Sequence, residues 1–154
     1  ISYGGQLDKA IEEYQMTLTI NPSFFYAHLM LWNAYYAKGM IREAVAEIEK
    51  AVDLSAGNAF AQSCLVSGYY LTGKKDQAES LFNNLKKRSE YEYVPATSFY
   101  MIHKFRGEEE KAMEYLKKAC KEHDTFLPWM SVNPNFFPEG SNYKALLKEM
   151  GLDF

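Results

Sequence analysis

The chain lacks most of what would tie a protein to a particular chemistry. It has no excess of positive charge, since 17 basic residues face 20 acidic ones for a net charge of −3. Nucleic-acid binding draws on clustered Lys and Arg that release phosphate counterions, so no nucleic-acid partner is expected. Its apolar runs are short, which excludes a membrane-spanning helix. The opening Ile1-Ser2-Tyr3-Gly4-Gly5 carries neither a basic n-region nor an apolar h-region, so no signal peptide is read there. An initiator Met is also missing, and the chain is expected to be cut from a longer protein. Cysteine is scarce: Cys64 and Cys120 form no CxxC pair and fall within helical patterns. Buried thiols in a reducing cytoplasm are expected rather than a disulfide.

Catalytic signatures are missing as well. No Gly-rich phosphate loop, nucleophile elbow or HExxH occurs. The three histidines, His28, His103 and His123, have no ligand spacing. His28 and His103 fall on apolar helix stripes, where packed neutral imidazoles are expected, and His123 stands at a helix end, where it caps carbonyls. Glu108-Glu109-Glu110 opens a helix, and Lys86-Lys87-Arg88 and Lys117-Lys118 close others, all in the sense that complements the helix dipole. The expectation is a non-enzyme with no metal and no cofactor.

What the chain has is repetition. Hydrophobic residues at 47% and charged ones at 24% suit a folded domain, and 154 residues suffice for one real core. Glycines stand at Gly5, Gly39, Gly73 and Gly107, each 34 positions after the last. Five residues on come Ala10, Ala44, Ala78 and Ala112, and four further on Tyr14, Ile48, Phe82 and Leu116. Three series in register at one period are a repeat, not coincidence. Each glycine marks a helix end that needs positive φ, each alanine a close helix crossing, and each bulky residue the filling beside it. Upstream of the glycines, His28, Leu31, Trp32 and Tyr35 form a core stripe, matched by Gln62, Leu65, Val66 and Tyr69 and then by Ala96, Phe99, Tyr100 and His103.

Over about residues 1–124 this pattern resembles the tetratricopeptide repeat, whose signature reads W-x2-L-G-x2-Y, then A-x3-F, then P. His28, Gln62 and Ala96 stand where that family prefers Trp, and Trp32, Val66 and Tyr100 replace its small residue. Only Pro22 keeps the closing proline, against Ala56, Glu90 and Asp124. The resemblance implies an all-α fold, a right-handed α-α superhelix with a C-terminal capping segment and helix. It divides the chain into a partial repeat over 1–22, repeats at about 25–58, 59–92 and 93–124, and a closing unit over 125–154. Helices are expected at about 6–20, 23–38, 41–54, 57–72, 75–88, 94–106 and 108–122. The stripe Leu7, Ile11, Tyr14 and Leu18 on the first of them has no preceding helix, so that helix is expected to fray or to dock on another chain.

After Asp124 the sequence turns aromatic and proline-rich through Phe126-Leu127-Pro128-Trp129-Met130 and Asn133-Pro134-Asn135-Phe136-Phe137-Pro138, and is expected to be irregular. Ser141 is placed to cap a short helix over about 142–150, which Gly151 stops. Trp129, Asn133-Pro134, Phe137, Tyr143, Leu146-Leu147 and Gly151-Leu152 resemble the tail of tetratricopeptide regions that follow a kinase, cyclase or DNA-binding regulator domain in bacteria and archaea. The aromatic segment is expected to fold onto the final repeat.

One helix is apolar on every side: Ser23 to Lys38 is almost uncharged, so it is buried all round or faces a ligand. Besides its core stripe it carries a second stripe, Tyr26, Leu29, Asn33 and Tyr36. Its register mates are Phe60, Ser63, Ser67 and Tyr70, then Val94, Thr97, Met101 and Lys104. The resemblance implies that this stripe lines a concave groove for a protein or peptide partner. The face is too poor in Lys, Arg and Asn for a two-carboxylate clamp, so an apolar or aromatic peptide is expected. Packing against adjacent helices is the rival account of the same residues. The expected function is a protein–protein interaction module, as scaffold, adaptor or sensor arm. The alternative is a structural self-assembly module that joins copies through open repeat ends, with a homo-oligomer through the N-terminal edge.

Overall fold

The computed structural model describes residues 3–131 and 133–152; Ile1, Ser2, Val132, Asp153 and Phe154 lie outside the described residues. Those described form α1 (Tyr3–Ile20), α2 (Phe25–Ala37), α3 (Ile41–Leu54), α4 (Ala59–Leu71), α5 (Lys75–Arg88), α6 (Ala96–Phe105), α7 (Glu109–Lys121), α8 (Phe126–Ser131) and α9 (Asn142–Glu149), with no strand among them. Each helix expected from the periodicity is present within a few residues. The helices pack in adjacent pairs: α2 on α3, α4 on α5 and α6 on α7. Further contacts join α1 to α2, α3 to α4 and α4 to α6, and α9 lies on α7. This all-α arrangement is compatible with a helical repeat.

The glycine register explains the pairing. Gly39, Gly73 and Gly107 have φ of +76°, +76° and +75°, where a side chain would be strained. At the first of them the Gly39 N–H donates to the Tyr36 carbonyl and the Met40 N–H to the Tyr35 carbonyl, both at 2.9 Å. This Schellman closure satisfies two carbonyls left over at the helix end and reverses the chain. The same pair of bonds recurs after α4 and after α6. It also ends α7, where His123 takes the left-handed conformation itself, at φ 52°. Gly5 departs from the series: it lies inside α1, which starts at Tyr3 rather than near residue 6.

The alanines are what the crossings require. Ala44, Ala78 and Ala112 are fully buried, and beside them Ile48, Phe82 and Leu116 are buried too. A tighter approach occurs at Gly68 on α4, where an added Cβ would lie 2.9 Å from Val45 Cγ2 and 3.8 Å from Trp32 Cζ3. Gly68→Leu is therefore expected to cost about 3 kcal/mol by overpacking, read from the denaturant midpoint of the purified variant. An unchanged midpoint would show that α3 and α4 can part without penalty.

Two expectations are corrected. The stripe Leu7, Ile11, Tyr14 and Leu18 does find cover in its own chain, on Leu31, Ala34 and Tyr35 of α2. Polar contacts reinforce that docking, with Lys38 paired to Asp8 and the Gln15 amide donating to the Tyr35 hydroxyl at 3.0 Å. The aromatic segment after Asp124 is not wholly irregular, since Phe126–Ser131 is the short helix α8. Pro128 falls in its first turn, where a missing N–H leaves no bond unmade, and the Asp124 carboxylate accepts the Phe126 N–H at 3.0 Å. At the last helix the Ser141 hydroxyl accepts from the Lys144 N–H, as its position before α9 implied.

Candidate functional site

The second stripe is defined by what lies against it. After α7 the chain crosses α6, α4 and α2 and then returns to α6, its described residues 124–131 and 133–137 forming a strap. It starts at Asp124, a buried carboxylate that accepts from the Thr97 N–H at 3.0 Å and the Thr97 hydroxyl at 2.9 Å. Thr97 sits in the first turn of α6, and the residue before that helix, Pro95, offers no side-chain cap. Asp124 therefore caps α6 from 27 residues away. Phe126 then stacks on Phe60 of α4, with ring centroids 3.7 Å apart, and Trp129 meets the same ring edge-on at 5.3 Å. The Trp129 indole N–H points to Met30 Sδ of α2 at 2.9 Å.

Farther along, asparagines replace aromatics. The Asn133 amide donates to the Asn33 side-chain oxygen at 2.7 Å and to the Asn33 carbonyl at 3.2 Å. The Asn135 amide donates to the Tyr36 carbonyl at 3.3 Å, and Lys104 donates to the Asn135 carbonyl at 2.6 Å. Phe136 then lies on Tyr36, and the Tyr100 hydroxyl donates to the Phe136 carbonyl at 2.6 Å. Phe137 stacks on Tyr100 at 5.5 Å, and Tyr143 of α9 meets the same ring edge-on. The strap is thus held by both its side chains and its backbone carbonyls.

Each stripe residue can now be placed. Leu29, Asn33, Tyr36, Phe60, Ser63, Ser67, Thr97 and Met101 are all buried, along with Val94. Asn33, Tyr36, Phe60, Thr97 and Lys104 contact the strap directly. Ser63 and Ser67 turn their hydroxyls back onto the Phe60 and Ser63 carbonyls of their own helix. Two stripe members lie elsewhere. Tyr26 is exposed beside Phe24 and Phe25. Tyr70 donates to Glu79, which also receives Arg106 at 2.8 and 2.7 Å. Arg106 in turn donates to Glu108, whose carboxyl this bond holds down at about 2. That network cross-links α4, α5 and the end of α6.

The sequence reading missed Met30, Asp124, Asn133 and Asn135 as parts of this face. The signal for them was the lack of charge all round α2, which required a cover that α1 and α3 do not complete. His28 and His103 sit apart from the strap. His28 lies between the Glu47 carboxylate, at 2.6 Å, and the Pro22 carbonyl, at 3.1 Å. His103 stacks on Tyr115, and burial holds its pKa below the usual imidazole value. No cluster of three or more His, Cys, Asp or Glu among the described residues has the arrangement of a metal site, and none of their helices is long and apolar enough to cross a membrane. Cys64 and Cys120 are both buried and free.

Lys104 makes the strap sensitive to pH. Burial pulls its ammonium down to about 8. An unfolded chain keeps that proton up to about 10.4, so between pH about 8 and about 10 the unfolded state holds a proton the folded state has shed. Stability therefore rises with pH through that window. Above pH about 10 the sign reverses, because burial pushes Tyr36 to about 12 and the folded state keeps a proton that the unfolded chain loses. The denaturation midpoint followed from pH 7.5 to 10 should rise in the native protein relative to Lys104→Met. Parallel curves for the two would contradict the burial of this ammonium.

No family model matches the chain, and no curated protein matches it. The geometry of the strap and of the helices beneath it therefore carries the functional argument.

Proposed function

We propose that the chain is a non-catalytic protein-interaction module, a tetratricopeptide-like solenoid whose inner face, formed by α2, α4 and α6, is a surface for polypeptide. The observation that carries this reading is the mode in which that face holds the strap. It stacks Phe126 on Phe60 and takes the strap's backbone as well as its side chains, with Tyr100 and Lys104 donating to the Phe136 and Asn135 carbonyls. Grooves that bind peptides combine side-chain pockets with main-chain bonds in the same manner.

The occupant differs from the free apolar peptide that the stripe alone implies. Leu127, Met130, Phe136 and Phe137 of the strap are all buried. At about 1.5–3 kcal/mol for each large apolar side chain, lifting the strap would cost roughly 6–12 kcal/mol. That is comparable to the whole stability of a domain, about 5–15 kcal/mol. An external peptide does not compete on those terms, so the strap closes the middle and far end of the groove, and partners meet what it leaves open.

Severing the chain tests the reading. A fragment of residues 1–124 mixed with a separate peptide of residues 125–154 should form a 1:1 complex with native near-ultraviolet dichroism. Failure of the peptide to associate with a fragment that circular dichroism shows to keep its helices would remove the claim that the face receives polypeptide.

A further inference from the structure

We propose that Lys104 is an acyl-acceptor site, at which transfer of an acetyl group from a small activated donor loosens the far end of the strap. The donor class is an acyl phosphate or an acyl thioester. The inference rests on the reading of the inner face as a surface for polypeptide and adds a means of regulating it.

The last turn of α6 carries Lys104 to the strap. Its ammonium donates to the Asn135 carbonyl at 2.6 Å and lies 5.0 Å from the centre of the Phe105 ring. Phe105 meets Tyr36, and Tyr36 meets Phe136, so the corner is walled by rings. Other lysines are placed differently. Lys38, Lys50 and Lys111 each face a carboxylate, and Lys104 faces none among the described residues. One main-chain carbonyl and one ring face do not replace the water that a part-buried ammonium gives up. The neutral amine is favoured in such a corner, in keeping with a titration at about 8. At pH 8 about half of this amine is neutral, against roughly 0.4% of a lysine titrating near 10.4.

Only the neutral form carries the lone pair that attacks. The Nζ lone pair adds to the acyl carbon, and a C–N bond forms. The acyl C–O or C–S bond breaks, phosphate or thiolate departs, and the surplus proton of the amine passes to water. The product has no charge and keeps a single N–H. It also sets an added carbonyl and methyl on an atom 2.6 Å from the Asn135 oxygen, where the strap already lies. The Asn135 side chain is tied to the Tyr36 carbonyl, and its N–H donates to the Asn133 side chain at 3.0 Å. The Phe136 N–H donates to the Asn133 carbonyl, also at 3.0 Å. Displacement at the Asn135 carbonyl therefore pulls on this turn, and the two amides report it.

The test incubates the whole folded protein at pH 8 with acetyl phosphate and, in a separate arm, with acetyl coenzyme A. Sites are mapped by mass spectrometry at low extents of reaction. Lys104 is expected to be acetylated at least tenfold faster than the median lysine in one arm or both, which also names the donor. Exchange at the Asn135 and Phe136 amides should then quicken about tenfold, while the amides of α8 stay as they were. Lys104→Gln, a neutral stand-in for the product, should loosen the same two amides without reagent, and Lys104→Arg should keep them protected, both with a native helical signal. Acetylation of Lys104 no faster than that of other lysines in both arms would overturn the proposal, as would acetylation only of unfolded protein. Acetylation that leaves both amides protected would overturn it too, since the strap would not be controlled from this side chain. Association of residues 125–154 with 1–124 is read without any acyl donor, so a failure at Lys104 and a failure of the broader reading are told apart.

Discussion

Removing residues 126–154 is expected to abolish the cooperative thermal melt and to leave a fragment that exposes apolar surface and aggregates. The strap buries Phe60, Tyr36 and Met101 in the middle of the chain as well as covering the last helix pair. Its loss forfeits the burial of Leu127, Met130, Phe136 and Phe137, roughly 6–12 kcal/mol, and uncovers the helix faces on which they lie. Domains of this size hold only about 5–15 kcal/mol in reserve. Dye binding and light scattering of the truncated chain would check this, and an intact two-state melt would show the strap to be ornament. The same fragment should recover its melt when residues 126–154 are supplied in trans, which separates loss of fold from loss of the binding surface.

Asp124→Ala has the largest effect expected of a single polar substitution. One carboxylate oxygen takes the Thr97 N–H and hydroxyl, and the other takes the Phe126 N–H. The change leaves the first turn of α6 uncapped and unties the start of α8 at once. Hydrogen bonds to a charged group are worth about 1.5–3 kcal/mol, and the buried Thr97 hydroxyl is left without this acceptor. A loss of about 3 kcal/mol or more is expected in the denaturant midpoint. Asp124→Asn keeps one acceptor oxygen and should cost distinctly less. Equal losses for the two would mean that packing, and not the cap, holds that corner.

Much of the fold was legible because its causes are local. Glycine at positive φ ends a helix wherever it stands, and Gly39, Gly73 and Gly107 each do so. Ala44, Ala78 and Ala112 announce close crossings and are all fully buried. Gly5 obeys the spacing but not the rule, since it lies inside α1. The strap was legible only in part. Its aromatics implied a cover for the last repeat, yet nothing local to Asn133 and Asn135 shows that they reach α2, 100 residues earlier. Those contacts depend on the tertiary packing that brings α2 beneath the strap, which no short stretch encodes. The same ambiguity kept the second stripe open between packing and ligand contact: an apolar helix face has one appearance in sequence whether its own chain or another covers it.

The strap lies across α2, α4 and α6, and nuclear Overhauser contacts across that interface test this most directly. Cross-peaks are expected between the Trp129 indole and the Met30 methyl, and between the Phe126 and Phe60 rings, in a dilute monomer with isotope labels on one chain only. A Trp129 indole with solvent-like exchange and no contact to α2 or α4 would contradict it.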